Sequence, residues 1–145
     1  MNLCDSNVWL ALALSRHVHH RTARTWFQSI ARPGDVPTAG RPSTRSGGCS
    51  LNSAVLAPYG NPPLTNAQAW RAYEAFAGDD RVALRIDEPT HLESHWKQLA
   101  ARDTASPKLW MDAYLAAFAI TAGLRLVTTD IAFRQFAGLD HLILA

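Results

Sequence analysis

The sequence predicts an α/β fold in which a twisted parallel sheet carries helices on both faces. Short apolar segments with strand character alternate along the chain with segments of helical periodicity, as in parallel α/β proteins. Near the C-terminal end, an alanine-rich segment, a glycine and an apolar run follow one another in the order helix, cap and buried strand. The 145 residues, 48% hydrophobic and 18% charged, are typical of one globular domain. We therefore expect a single domain over residues 1–145.

The N-terminal segment predicts a strand followed by two helices. Residues 2–4 form a short apolar lead, and three polar residues separate this lead from a helical run at 8–14. A second helix is expected from about His20 to Ala31, because its apolar residues recur at helical spacing. These apolar residues are Ala23, Trp26, Phe27 and Ile30.

The segment at residues 37–52 differs from the rest of the chain. It reads PTAGRPSTRSGGCSLN and contains two prolines, three glycines and neither a helical nor a strand period. This composition predicts a linker or loop, so the segment resembles a low-complexity insert within the domain. Such a long structureless run is unusual inside a compact domain. A native loop and a local shift of the reading frame both remain open as explanations.

The middle of the chain predicts a helix, a strand and another helix. Thr65 and Gln68 have the spacing of a capping box at the start of a helix over 66–77. We expect this helix to bury Ala69, Trp70, Tyr73 and Phe76. Residues 81–86 alternate like a half-buried strand, and a helix over 90–102 then follows. Its inward-facing residues are expected to be Leu92, Trp96 and Leu99.

The segment 109–130 brings two aspartates to the same level of the fold. A serine and a proline at 106–107 predict the helix start, and Gly123 predicts its end. From Asp112 the helix rises about 15 Å to residue 122. The strand predicted at 124–128 then returns about 16 Å. Asp112 and Asp130 should therefore lie side by side. A last strand is predicted at 141–144. The helical face formed by Ala113, Ala116, Ala117 and Ile120 is expected to pack on the sheet.

A third aspartate, Asp5, is expected at the same edge of the sheet. It follows the first strand, and open α/β sheets place their sites at the carboxyl ends of parallel strands. Three converging carboxylates suit Mg²⁺, with Mn²⁺ as the alternative, because this hard cation prefers oxygen ligands. Asp5, Asp112 and Asp130 are therefore the predicted metal-binding and catalytic residues. Side chains expected to orient the ligands or a water molecule are Ser6, Asn7 and Thr129.

Two segments of the chain resemble a known family. LCDSNVWLALA at residues 3–13 and MDAYLAAFAITAGLRLVTTDIAF at 111–133 resemble the first and last motifs of PIN-domain ribonucleases, in particular the VapC toxins of bacterial toxin–antitoxin pairs. The resemblance covers residues 1 to about 36 and about 54 to 145. It implies a PIN-like three-layer fold, Mg²⁺-dependent endonucleolytic cleavage of RNA phosphodiesters, inhibition by a cognate antitoxin, and a homodimer.

The chain departs from the family at one point. A helix after the second strand usually supplies an acidic residue of the metal site, but no Asp or Glu occurs between Val36 and Tyr73. The three other aspartates could hold the ion alone, or the segment could be a mobile active-site loop. The alternative function is a catalytically impaired PIN-fold protein that only binds its antitoxin. A phosphotransfer domain is disfavoured, because residue 7 is Asn, where haloacid dehalogenases need Asp. Receiver domains in turn need an acidic pair at an earlier strand end together with a late lysine.

Positive charge is concentrated in one part of the chain. Between Ser15 and Ser50 lie six arginines and a single acidic residue, so this segment has a net charge of +5. The rest of the chain has a net charge of −3, which gives the total of +2. Arg16, Arg21 and Arg24 are predicted to grip the RNA backbone, although an ordinary solvated helix face explains the charge equally well.

The sequence also predicts where the protein acts. The apolar run at 8–14 is too short to span a bilayer, and no signal peptide is evident. Cys4 and Cys49 do not form a disulfide framework, so a reducing environment is expected. We expect a cytoplasmic protein without a membrane partner.

Overall fold

The computed structural model of the chain describes residues 1–39, 64–85 and 87–145. Within these ranges strands and helices alternate, as the sequence predicts. The strands are β1 (Asn2–Cys4), β2 (Val36–Ala39), β3 (Val82–Arg85), β4 (Arg125–Thr128) and β5 (His141–Ile143). The helices are α1 (Ser6–Ala13), α2 (His20–Gln28), α3 (Asn66–Ala77), α4 (Leu92–Ala100) and α5 (Pro107–Ala122), and a 3₁₀ helix spans Ile131–Gln135.

All strand pairs within the described ranges are parallel, which confirms the predicted sheet type. β1, β4 and β5 form a three-stranded sheet in the order β1-β4-β5, and β2 pairs with β3. The backbone N–H of Asn2 donates to the carbonyl of Asp35 at 2.7 Å, which brings the start of β2 beside β1. In the register of β1 with β4, Cys4 lies opposite Val127. The carboxyl ends of these two strands therefore meet at one edge.

Two apolar cores occupy the two faces of the sheet. Because side chains alternate along a strand, Leu3 and Leu126 enter one core while Cys4 and Val127 enter the other. The first core is covered by α4, α5 and the 3₁₀ helix, and the second by α1 and α2. Helices thus cover both faces, and the predicted three-layer arrangement is confirmed.

Helix α5 has the predicted ends and the predicted buried face. The Ser106 hydroxyl accepts a hydrogen bond from the backbone N–H of Leu109 at 3.1 Å, which caps the first turn. Gly123 ends the helix in the left-handed conformation, with φ of 63°. Ala113 and Ala116 are fully buried, so the backbone of α5 approaches the sheet closely.

Helix α3 begins as predicted but is less buried than its apolar pattern suggests. The capping box is present: the Thr65 hydroxyl accepts from the N–H of Gln68 at 3.2 Å, and the Gln68 side chain accepts from the N–H of Thr65 at 2.8 Å. However, Trp70 is 56% exposed, so its predicted burial is wrong. Phe76 does pack against the second core, beside Trp9. Helical periodicity identifies an apolar face, but only the tertiary contacts decide whether another element covers it.

The predicted loop at 37–52 begins with a strand. Residues 37–39 belong to β2 and pair with residues 83–85, so the expectation of irregular structure is wrong there. Their backbone partners come from a segment more than 40 positions away, which local composition does not reveal. Residues 40–52 lie outside the described part of the chain. Helices α2 and α4 are also shorter than predicted, by two or three residues at their ends.

No helix within the described residues combines the length and the hydropathy that crossing a lipid bilayer requires.

Candidate metal and active site

The three predicted aspartates lie on elements that meet at the carboxyl edge of the sheet. Asp5 follows β1 and precedes α1, and Asp130 follows the neighbouring strand β4. The Asp130 carboxylate also caps the 3₁₀ helix by accepting from the N–H of Ala132 at 2.8 Å. Asp112 projects from the second turn of α5. The Asp112 and Asp130 side chains are 17% and 22% exposed, so both remain accessible to solvent.

A lysine that the sequence analysis did not select joins two of these carboxylates. The Lys108 ammonium nitrogen lies 2.5 Å from Asp112 Oδ2 and 2.7 Å from Asp130 Oδ2. The contact to Asp112 could have been found in the sequence, because residues four apart on a helix face each other. The contact to Asp130, 22 positions away, could not. The predicted juxtaposition of Asp112 and Asp130 is therefore present, with one ammonium group between them.

Asp5 is held by three side-chain hydroxyl or amide donors. The Ser6 hydroxyl donates to Asp5 Oδ1 at 3.1 Å, and the Asn7 amide donates to Oδ2 at 3.1 Å. Ser6 and Asn7 thus contact one of the carboxylates that they are predicted to orient, and their role in catalysis stays a prediction. The third donor is the buried hydroxyl of Thr128, 2.8 Å from Asp5 Oδ2.

Thr128, and not the predicted Thr129, supplies the hydroxyl that contacts Asp5. Thr128, one residue earlier, donates to Asp5 and accepts from the N–H of Asp130 at 3.0 Å. Neighbouring residues of a strand face opposite ways, and the pairing of Cys4 with Val127 sets which threonine meets Asp5. A single hydroxyl therefore links two of the three aspartates.

Burial and neighbouring charges affect the carboxylates differently. Burial raises the pKa of Asp5, the hydrogen bonds from Thr128 and Ser6 oppose this, and the nearby Asp112 charge raises the pKa further. Partial burial alone would raise the pKa of Asp130, but the hydrogen bonds from Lys108 and the N–H of Ala132, together with the charge of Lys108, outweigh it and lower that pKa. Partial burial would lower the pKa of Lys108, but its hydrogen bonds to Asp112 and Asp130 and their charges raise it. The three aspartates and Lys108 thus form a cluster of interacting charges at this edge of the sheet, with more negative than positive charge.

Within residues 1–39, 64–85 and 87–145, no three His, Cys, Asp or Glu side chains lie close enough together to surround one metal ion. The observed cluster instead consists of Asp112 and Asp130 around an ammonium group, with Asp5 near enough to Asp112 for its pKa to respond to that charge. The donor set fits a hard cation in its chemistry, because all three groups are carboxylates and two already contact a positive charge.

The arginines predicted to bind RNA are accessible. Arg21 and Arg24 lie on the exposed side of α2, and Arg16 is exposed in the turn between α1 and α2. Helix α2 packs on α1, whose first residues adjoin Asp5. Their contact with RNA stays a prediction.

Comparison with known proteins gives close relatives along the whole chain. No protein-family model matches. The chain is 51% identical over 145 residues to the ribonuclease VapC41 of Mycobacterium tuberculosis strain H37Rv, covering 100% of this chain and 99% of the relative. It is 30% identical over 142 residues to the ribonuclease VapC31 of the same strain, covering 98% and 97%.

Solved structures share the fold at low sequence identity. VapBC2 from Rickettsia felis, bound to a DNA fragment from its promoter, superposes with a TM-score of 0.70 at 13% identity, over 99% of this chain and 98% of the other. Mycobacterium tuberculosis VapC20, a toxin that cleaves the sarcin–ricin loop, gives 0.62 at 17% identity over 96% and 98%. The full-length similarity to VapC41 and VapC31, together with the shared fold, shows that this chain belongs to the VapC family of PIN-domain ribonucleases.

Proposed function

We propose that the chain is a metal-dependent endoribonuclease in which Asp5, Asp112 and Asp130 form the site of Mg²⁺, or of Mn²⁺ in its place. Asp112 and Asp130 would bind the ion, and Asp5 would hold one of its water molecules. The observation that carries the proposal is the ammonium group between Asp112 and Asp130, at 2.5 and 2.7 Å from their oxygens. A pair of carboxylates that converges on one positive charge has the geometry of a cation site. Asp5 is buried near this pair. Burial raises its pKa, and the charge of Asp112 adds to this rise.

The chain's own residues would prepare this site for phosphodiester cleavage. Ser6, Asn7 and Thr128 hold the Asp5 carboxylate in one orientation through their hydrogen bonds. Asp130 is fixed by the N–H of Ala132. When bound, the cation supplies an activated water for in-line attack and neutralises charge that develops on the phosphate oxygens. Exposed arginines of α2 would hold the RNA backbone by charge.

The partners proposed for this chain follow from its family. VapC20 is described as a toxin that cleaves the sarcin–ricin loop, and VapBC2 was solved bound to a DNA fragment from its promoter. These relatives support an RNA substrate and a cognate antitoxin for this chain. The homodimer and the cytoplasmic location belong to the same proposal.

The direct test is RNA cleavage with and without Mg²⁺. We expect cleavage by the purified chain to require Mg²⁺ and to fall at least about a hundredfold in Asp5→Ala and Asp112→Ala, because each removes a carboxylate of the metal site. Asp140→Ala is a matched control, since Asp140 is exposed and pairs only with Arg125 among the described residues. Cleavage that survives both site substitutions would end the metal-site proposal.

The alternative function, an inactive antitoxin-binding protein, predicts a different result. Such a chain would not cleave RNA with either metal, yet would still form a stable complex with its antitoxin. The missing acidic residue between Val36 and Tyr73 is the observation that favours it.

Metal binding can be tested without RNA. A ligand present at about one hundred times its Kd stabilises the folded state by about 2.7 kcal/mol. For a domain of this size, that corresponds to a rise in Tm of roughly 5–11 °C. We expect Mn²⁺ to produce this rise and Asp112→Asn to abolish most of it, while Asp140→Asn leaves it unchanged. An equal rise in all three proteins would show that the ion binds elsewhere.

A further inference from the structure

We propose that Lys108 is the internal counter-ion of the carboxylate cluster, and that it makes the site selective for divalent over monovalent cations. Its ammonium nitrogen contacts Asp112 Oδ2 and Asp130 Oδ2 at 2.5 and 2.7 Å. This inference rests on the proposed metal site and adds to it the residue that decides which cations can enter.

The ammonium group and a metal ion would compete for the same oxygens. Asp112 and Asp130 each turn Oδ2 toward the Lys108 nitrogen. A cation bound between the two carboxylates would lie close to the ammonium group. Two positive charges so close together repel strongly, so the ammonium group and the cation would exclude each other from the site. The Lys108 side chain is 61% exposed, which leaves it free to move into solvent when displaced.

Tethering gives the ammonium an advantage over free monovalent ions. Lys108 lies one helical turn before Asp112 on α5, so its charge is held at the site at an effective concentration of millimolar or more. Na⁺ or K⁺ carries the same single charge as the ammonium group, so its attraction to the carboxylates does not offset the loss of the tethered group. A divalent ion doubles the Coulomb attraction to each carboxylate and can therefore displace it.

The charge balance of the cluster supports this role. With all three aspartates ionised, the carboxylates carry three negative charges, and Lys108 leaves two uncompensated. One divalent ion brings two positive charges in place of the single charge of the ammonium group, so it compensates the cluster better than Lys108 does.

The test is Mn²⁺ binding by isothermal titration calorimetry, without RNA, on the full chain. The variants are Lys108→Met, which removes the charge but keeps most of the side-chain bulk, and Lys108→Arg, which keeps the charge. Lys97→Met is a matched control, because Lys97 is an exposed lysine on α4 and its loss changes the net charge equally. If the ammonium occupies the site about nine-tenths of the time, its removal tightens Mn²⁺ binding roughly tenfold. Lys108→Arg and Lys97→Met should stay within about threefold of the original chain.

Selectivity is tested by exchanging the monovalent salt at constant ionic strength. Tetramethylammonium is too large to enter between two carboxylates, whereas K⁺ is not. We expect KCl, relative to tetramethylammonium chloride, to weaken Mn²⁺ binding at least about threefold in Lys108→Met and to have no effect in the original chain.

Two results would overturn the inference. Equal Mn²⁺ affinity in the original chain and Lys108→Met would show that the ammonium does not compete with the metal. The same response to both salts in Lys108→Met would show that Lys108 does not exclude monovalent ions. Either result leaves the proposed metal site standing. Absence of Mn²⁺ binding in both proteins would instead overturn the metal site together with this inference.

Discussion

The substitution Thr128→Val removes one hydroxyl from the centre of the candidate site and replaces it with a methyl group of similar size. The Thr128 side chain is fully buried, donates to Asp5 at 2.8 Å and accepts from the N–H of Asp130 at 3.0 Å. A valine side chain can neither donate nor accept a hydrogen bond, so both contacts are lost. The buried Asp5 carboxylate would keep its two weaker donors, Ser6 and Asn7, and the N–H of Asp130 would lose its acceptor.

The expected loss of stability follows from these two hydrogen bonds. A hydrogen bond to a charged group contributes about 1.5–3 kcal/mol and a neutral one about 0.5–1.5 kcal/mol. We therefore expect Thr128→Val to lower the free energy of unfolding by roughly 2–4 kcal/mol near neutral pH. The corresponding fall in Tm is roughly 5–15 °C for a domain of this size. Urea unfolding in EDTA, followed by circular dichroism, measures the change without metal.

The effect should depend on pH with a defined sign. Burial raises the folded-state pKa of Asp5 above its ordinary value of 3.8, and the Thr128 hydrogen bond partly opposes this. In the original chain, the stability contributed by protonated Asp5 is therefore present below 3.8 and is lost as pH rises through the folded-state pKa. The Thr128 hydroxyl stabilises the ionised carboxylate, so Thr128→Val should cost more near neutral pH than near pH 4.

Thr129→Val is the matched control for this substitution. Thr129 is the neighbouring threonine of the same segment and is only partly buried. It should lose less than about 0.5 kcal/mol, as surface substitutions usually do. If Thr129→Val destabilised the chain as much as Thr128→Val, the strand register and the hydrogen bonds assigned to Thr128 would be wrong.

Three further predictions test the fold. Arg81→Met should lower the free energy of unfolding by about 1–2 kcal/mol, because Arg81 binds both carboxylate oxygens of Asp79 and the carbonyl of Phe27. The hydrogen bond from Arg81 lowers the pKa of Asp79, so this stability is present above 3.8 and the urea-measured cost should shrink as pH falls below it. Gly123→Ala should cost about 1 kcal/mol in urea unfolding, because a Cβ meets nothing within 4 Å but φ is +63°. Trp70→Ala should change Tm by less than about 2 °C, since Trp70 is 56% exposed, and a larger fall would mean that α3 buries it.

Local rules were sufficient for most elements of the fold. The alternation of strands and helices, the capping box at Thr65 and the glycine end of α5 all depend on residues close together in the chain. The same rules predicted that Asp112 and Asp130 would lie side by side, because the helix and the strand between them have nearly equal lengths. They were insufficient for residues 37–39, whose strand depends on pairing with β3.

The sequence by itself determined the fold class, and it predicted that Asp5, Asp112 and Asp130 lie at one edge of the sheet. Only the tertiary structure decided that Thr128 rather than Thr129 meets Asp5, since these partners are separated by 123 positions and the register of β1 on β4 aligns them. The tertiary structure also placed Lys108 beside Asp130 and left the Trp70 side chain exposed. Periodicity and capping act over a few residues, whereas these contacts depend on how distant elements pack. The convergence of the carboxylates was therefore predictable from the chain, but the contacts that Thr128 and Lys108 make with them were not.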